Sequence, residues 1–279
     1  GSSASTSAGA QDSSAADTGV SGAITVISRE DGSGTRGAFV ELTGVEEKTA
    51  DGQKVDNTTA DAEIANKTDV VLTSVAGNEK AIGYISLGAL NDTVKAVKVD
   101  GAEATVGNVK NGSYKLSRPF NIATKGEPTG VAKDFINFIL SKDGQAVVTD
   151  NKYIAVDDAA EAFVSDGSSG QIAVGGSSSV SPVMEKLIEA YKSVNPNASI
   201  DLQTSDSTSG MTGAMDGTFA IGMASRELKD EEAAQLTGTA IALDGIAVIV
   251  NPANTIDELS MDQIKSIYVG DITDWGDLA

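Results

Sequence analysis

At 279 residues the chain is long enough for one large α/β unit or for two lobes around a cleft. It contains no cysteine and no histidine, so the sequence offers no thiolate or imidazole metal ligands, no Ser-His-Asp or Cys-His catalysis and no disulfides. The net charge of -20 argues against nucleic acid or an anionic membrane surface as partner, although a closed cleft is governed by the donors that line it, because exposed charges are screened over about 8 Å at physiological salt.

Residues 1–22 are small and polar, with Val20 the one sizeable apolar side chain, and read as a flexible tether. A strand follows at Ala23 to Ile27, then a Gly-rich loop, then Ala38, Phe39 and Leu42 at helical spacing. Residues 44–80 are polar and turn-rich, with short apolar pieces at Ile64 and Val70 to Leu72, and are expected to be poor in helix. A helix is predicted from Val131 to Leu140, with Gly144 marking a return to irregular structure. Strand, polar loop and helix recur at Gln171 to Val174, residues 175–182 and Val183 to Tyr191. Further strands are predicted at Ser199 to Gln203, Phe219 to Met223 and Ile241 to Val250, and a helix at Met261 to Tyr268. Strands alternating with helices indicate an α/β fold.

Four polar loops follow four of these strands. In the first, SREDGSGTRG of residues 28–37, glycines allow close backbone approach, Ser33 and Thr35 add hydroxyls, and the next helix presents free N–H groups. Arg29 can offer a fork to an oxyanion, with Asp31 placed to orient it. A surface turn with an N-cap serine and a solvated Arg-Asp pair explains the same residues. The second loop, GGSSSVSP of residues 175–182, holds Ser178 and Ser179 before a helix that tolerates Pro182 in its first turn; ordinary capping is the alternative. The third contains Ser207 and Thr208, the fourth Ser225 and Arg226. Ligands of open α/β sheets bind at the carboxyl ends of strands, so four such loops favour one shared oxyanion site over four separate turns. Trp275, Phe135, Phe138 and Ile139 are read as packing residues, and Lys229 to Glu232 as a solvated helix start.

Taken in order, GSSSVSP, the Ser/Thr-Gly loop after Gln203, SREL of residues 225–228, IALDGIAVIVNP of residues 241–252, ITDW of residues 272–275 and REDGSGTR of residues 29–36 resemble the motifs of the phosphate-binding protein of bacterial high-affinity phosphate ABC transporters. The resemblance covers nearly everything except the tether. It implies a type II periplasmic-binding-protein fold of two α/β lobes, with phosphate contacts from Ser178, Ser179, Ser207, Ser225, Arg29, Ser33, Gly34 and Thr35. Asp31, Arg226, Thr208 and Arg36 would orient or support them. It further implies a monomer without cofactor or metal, working outside the cytoplasm with the membrane permease of an ABC importer, and lipid-anchored in its precursor. Several relatives carry an aspartate where Ser225 stands, an acceptor for the proton of hydrogen phosphate.

Motif order departs from the family pattern: the SREDGSGTR unit precedes the GSSSVSP unit, as in a circularly permuted chain joined through residues 163–171. On that reading 23–118 and 244–279 form one lobe and 119–243 the other. An enzyme would need a base, metal cluster or activated lysine that no motif supplies. Sulfate, molybdate or another oxyanion would suit the same fold, as would an adhesion or signalling module.

Overall fold

The computed structural model describes residues 20–278, and the predicted tether up to residue 19 lies outside them. The first half runs β1 (Thr25–Arg29), α1 (Gly34–Thr43), a hairpin of β2 (Glu46–Lys48) and β3 (Lys54–Asp56), β4 (Glu63–Ala65), α2 (Thr68–Ala76), β5 (Ala81–Ser86), β6 (Lys95–Ala96), β7 (Lys98–Val99), α3 (Val106–Lys110) and β8 (Ser117–Thr124). There follow α4 (Gly130–Leu140), α5 (Lys142–Asp150), β9 (Gly170–Ser177), α6 (Ser181–Val194), β10 (Ala198–Ser205), α7 (Ser207–Asp216), β11 (Ile221–Ala224), α8 (Asp230–Ala233), β12 (Thr237–Val250), β13 (Glu258–Leu259) and α9 (Met261–Tyr268). A short 3-10 turn at Trp275–Asp277 completes the described chain.

One mixed sheet runs through the molecule in the order β10-β9-β11-β8-β12-β5-β1-β4. The strands at its two ends are parallel, β10-β9-β11 on one side and β5-β1-β4 on the other. Between them β8 and β12 run antiparallel to their neighbours. β12 pairs with β8 over Thr237 to Gly245 and with β5 over Ile246 to Val250, so this single strand belongs to both sides. Its sequence switches accordingly from half-exposed to fully buried residues.

Apolar side chains divide the same way. One cluster gathers Ile27, Phe39, Tyr84, Val248 and Trp275 from residues before 119 and after 243, together with Ile154. The largest cluster on the other side gathers Phe120, Phe135, Phe138, Leu187 and Met223. Trp275 packs in the first, donating its ring N–H to the Lys80 carbonyl at 2.8 Å.

Two sequence expectations are corrected here. The segment expected to be helix-poor contains α2, because Val71, Leu72 and Val75 fall on one helical face and are buried against β5. Gly144 does not end the helical region but lies inside α5, where a Cβ would collide with the Phe138 carbonyl and come within 2.5 Å of the Ile139 carbonyl. The glycine lets α5 fold back tightly on the end of α4, and Ser141 caps it by accepting from Gly144 N at 3.2 Å.

Candidate functional site

Three helix starts meet where the two sides of the sheet face each other. α1 begins at Gly34 after the N-cap Ser33, whose Oγ accepts from Arg36 N at 3.2 Å. α7 begins at Ser207 after Asp206, which accepts from Ser209 N at 2.7 Å. α6 begins at Ser181 with Pro182 in its first turn, and Val180, without a side-chain cap, stands at its N-cap where serine capping was expected. The first-turn N–H groups of such helices have no intrahelical carbonyl and carry the positive end of the helix dipole, so the convergence favours an anion.

Hydroxyls knit the loops together across the seam. Thr35 Oγ1 and Ser179 Oγ are hydrogen-bonded at 2.7 Å, and Ser225 Oγ lies 3.5 Å from Thr35 Oγ1. Ser177 Oγ accepts from the N–H groups of Ser179 and Val180 and donates to Ser225 Oγ at 2.9 Å. Ser207 Oγ accepts from Ser225 N at 3.0 Å and lies 3.3 Å from Ser225 Oγ. These five side chains are buried. Ser177 and Ser207 accept backbone N–H groups, so their hydroxyl protons point away from those N–H groups, that of Ser177 to Ser225 Oγ. Gly34 makes the approach possible: a Cβ there would overlap Ser207 Oγ and stand 2.6 Å from Ser225 Oγ. At the rim Thr208 N donates to the Gly32 carbonyl at 3.2 Å.

Arg29, at the end of β1, is buried and donates from Nη2 to Ser178 Oγ at 3.0 Å. Its orienting carboxylate is Glu30, which lies 2.7 Å from Nη2 and 3.0 Å from Nε. Asp31, expected in that role, is fully exposed and sits 3.5 Å from Arg36 instead. The chain turns at Glu30, whose carbonyl accepts from Ser33 N at 3.0 Å, so its side chain folds back along Arg29 while the next residue points to solvent. Arg36 supports the loop from outside, donating to the Arg29 carbonyl at 2.7 Å and to Asp56 at 2.9 Å. Tyr84, stacked on Phe39 with ring centroids 3.9 Å apart, accepts from Arg29 N at 3.3 Å and bonds Ser28 Oγ at 2.8 Å. Burial pushes this tyrosine up to about 12, so the hydroxyl stays protonated.

Arg226 forms a bidentate pair with Glu232, at 2.7 and 3.0 Å, and donates to Thr208 Oγ1 at 3.3 Å. Glu232, read from sequence as part of a solvated helix start, is buried and also accepts from Lys229 N at 2.9 Å. Burial alone would raise its carboxyl, but the bonds from Arg226 and Lys229 N and the nearby positive charges outweigh this and hold it below the usual range. Its stabilising contribution is therefore present at neutral pH and lost as pH falls through the lowered folded value. Glu232→Gln should lower the melting temperature at pH 7 and narrow its difference from the parent at acid pH; parallel melting curves across pH would contradict this.

Sequence reasoning missed Arg118. It is buried on β8 and paired with the fully buried Asp244 of β12, its register partner. Burial pushes the guanidinium down and the carboxyl up, while their mutual attraction opposes both shifts. Among the described residues no cluster of carboxylates has the geometry of a metal site.

Comparison with known proteins gives the family. A family model described as a PBP superfamily domain matches residues 7–143 and 162–279. The chain belongs to that superfamily. The phosphate-binding protein PstS 2 of Streptococcus agalactiae serotype V is 54% identical over 260 residues, covering 92% of this chain and 88% of that one. The crystal structure of a phosphate-binding protein of a phosphate ABC transporter from Streptococcus pneumoniae TIGR4 is 49% identical, with a TM-score of 0.75 over 92% of this chain and 100% of that one. Within the superfamily, therefore, the chain belongs to the PstS phosphate-binding-protein family. The PstS of Bacillus subtilis matches over 137 residues at 35% identity, 48% of this chain and 42% of that one.

Proposed function

We propose that the protein binds inorganic phosphate between its two halves and delivers it to the permease of an ABC importer, without catalysing a reaction. The observation that carries this reading is the meeting of three helix starts, five buried hydroxyls and the buried Arg29 at one point of the seam. Phosphate contacts are assigned to Arg29, Ser33, Gly34, Thr35, Ser178, Ser179, Ser207 and Ser225, with Glu30 in place of Asp31 orienting Arg29 and Arg226 bracing Thr208. Names and family of the streptococcal relatives support phosphate over sulfate or molybdate. The working place is extracytoplasmic, facing the permease, with lipid anchoring of the precursor as part of the same proposal; no helix among the described residues is long and apolar enough to cross a membrane.

Calorimetric titration of phosphate-stripped protein should give one phosphate per chain and no heat with sulfate or molybdate. Binding of sulfate or molybdate in preference to phosphate would overturn the assignment. Affinity should change little between low and physiological salt, because the contacts lie inside a closed seam and not among the exposed charges that give the chain its -20 balance. A steep salt dependence would indicate surface binding instead.

We further propose that the chain is circularly permuted relative to family members of the other motif order, with lobes at 23–118 plus 244–279 and at 119–243. The division of the apolar clusters supports the boundaries. The permutation is supported by the half-length match to the Bacillus relative beside the near-full-length match to the streptococcal one. It also agrees with Ile24 N donating to the Thr273 carbonyl at 2.8 Å, which brings the two outer segments side by side. The joining segment is itself anchored: buried Asp134 accepts from Ser165 Oγ at 2.7 Å and from Asp166 N at 3.0 Å. A chain with 279 joined to 23 and opened near Ser169 should fold, bind phosphate with unchanged affinity and melt only slightly earlier. Failure to fold would sink the permutation reading.

A further inference from the structure

Arg118 makes more bonds than a structural ion pair needs. Its Nε and Nη2 both donate to Asp244 Oδ2, at 3.2 and 3.0 Å, which already pairs the two charges across adjacent strands. Its remaining nitrogen, Nη1, donates to Thr35 Oγ1 at 2.7 Å and to the Ser225 carbonyl at 3.1 Å. Thr35 stands at the start of α1, whose Phe39 lies in one apolar cluster; Ser225 follows β11, whose Met223 lies in the other. One nitrogen on a crossing strand thus ties the two sides together at the floor of the site.

The bond to Thr35 has a chemical consequence. A threonine hydroxyl has one proton to give and two lone pairs, and accepting from a guanidinium takes one of the pairs. This turns the Thr35 proton away from Arg118, to the side of the site where Ser179 Oγ or an arriving oxyanion stands. The Ser225 carbonyl is likewise held by a cation, which positions the adjoining Ser225 hydroxyl and N–H group. Asp244 in turn holds the guanidinium over the Phe120 ring, whose centroid lies 5.3 Å from the Arg118 Cζ.

We propose that Arg118, held by Asp244, is a positioning residue that orients the Thr35 and Ser225 donors and couples anion capture to the approach of the two halves. Its ligand part rests on the phosphate reading; its closure part does not. Replacing Arg118 alone by alanine would leave Asp244 buried and unpaired, and the chain would be destabilised for that reason only. The informative variants are Arg118→Gln with Asp244→Asn, which neutralises both partners, and Arg118→Lys, which keeps the charge on Asp244 but lacks the second edge that reaches Thr35 and Ser225.

The test places spin labels at Glu41→Cys and Asp230→Cys, exposed positions on opposite walls of a groove of about 830 Å³ along the seam, in a chain with no cysteine of its own. Label distances are measured with and without phosphate, and phosphate affinity and melting temperature are measured beside them. Both variants should melt close to the labelled parent, bind phosphate about 100-fold more weakly because the Thr35 and Ser225 donors are no longer held in place, each about tenfold, and sample longer distances even in phosphate-free buffer. If either variant folds and keeps the parent's distances and affinity, Arg118 is only a structural ion-pair member and the proposal falls. A parent that fails to titrate with phosphate would overturn the ligand assignment, while the phosphate-free distances would still decide the role of Arg118.

Discussion

Arg29→Ala should weaken phosphate binding by about a thousandfold, more than any single serine substitution in the site. Two charge-assisted hydrogen bonds contribute roughly 1.5 to 3 kcal/mol each, and every 1.4 kcal/mol is about tenfold in affinity. A single serine hydroxyl removes about one bond of the weaker kind, on the order of tenfold. The loss should appear in binding and little in folding, because Glu30, which loses its partner, keeps 23% of its side chain accessible and can be rehydrated. Calorimetry and thermal melting of Arg29→Ala beside Ser179→Ala and Ser207→Ala check this. A titration of Arg29→Ala that overlays the parent would mean the oxyanion is held elsewhere.

Gly34→Ala should abolish tight binding by a different route. Gly34 carries no left-handed backbone angle, so alanine is tolerated by its own conformation. The obstacle is across the seam, where the new methyl would overlap Ser207 Oγ and stand 2.8 Å from Ser207 Cβ. Since Ser207 lies on the opposite side of the seam, the methyl would prop the halves apart without disturbing either apolar cluster. The melting temperature without phosphate should hold, while affinity falls by two to three orders of magnitude, roughly the loss of the donors contributed by one whole side. Parent-like binding by Gly34→Ala would show that the halves need not approach as closely as they do here.

Much of the proposed site was legible in the sequence because its parts are local. A strand, a polar loop and a helix start occupy ten to fifteen consecutive residues, and such a unit carries its own donors, so Arg29, Ser33, Gly34, Thr35, Ser178, Ser179, Ser207 and Ser225 could be named from their loops and from the resemblance. The central crossing of β8 and β12 was not legible. The meaning of Arg118 depends on facing Asp244, 126 residues away, a pairing fixed by strand register. The choice between Glu30 and Asp31 as partner of Arg29 depends on how one turn folds back, a matter of a single residue's direction. Glu232 was misread for a related reason: a run of acidic residues at a helix start is usually solvated, but here the third residue of the helix turns inward to meet Arg226. α2 and α5 were hidden by their polar and glycine-containing surroundings, and only the surface each packs against defines them.

One phosphate held in the seam by loops from both halves should be visible by crystallography. Crystals of the protein grown with phosphate should show tetrahedral density within hydrogen-bonding distance of Arg29, of the Gly34 and Thr35 N–H groups, and of Ser179, Ser207 and Ser225. Phosphate bound on the outer surface, or a fully occupied seam ligand that is not a tetrahedral oxyanion, would contradict it.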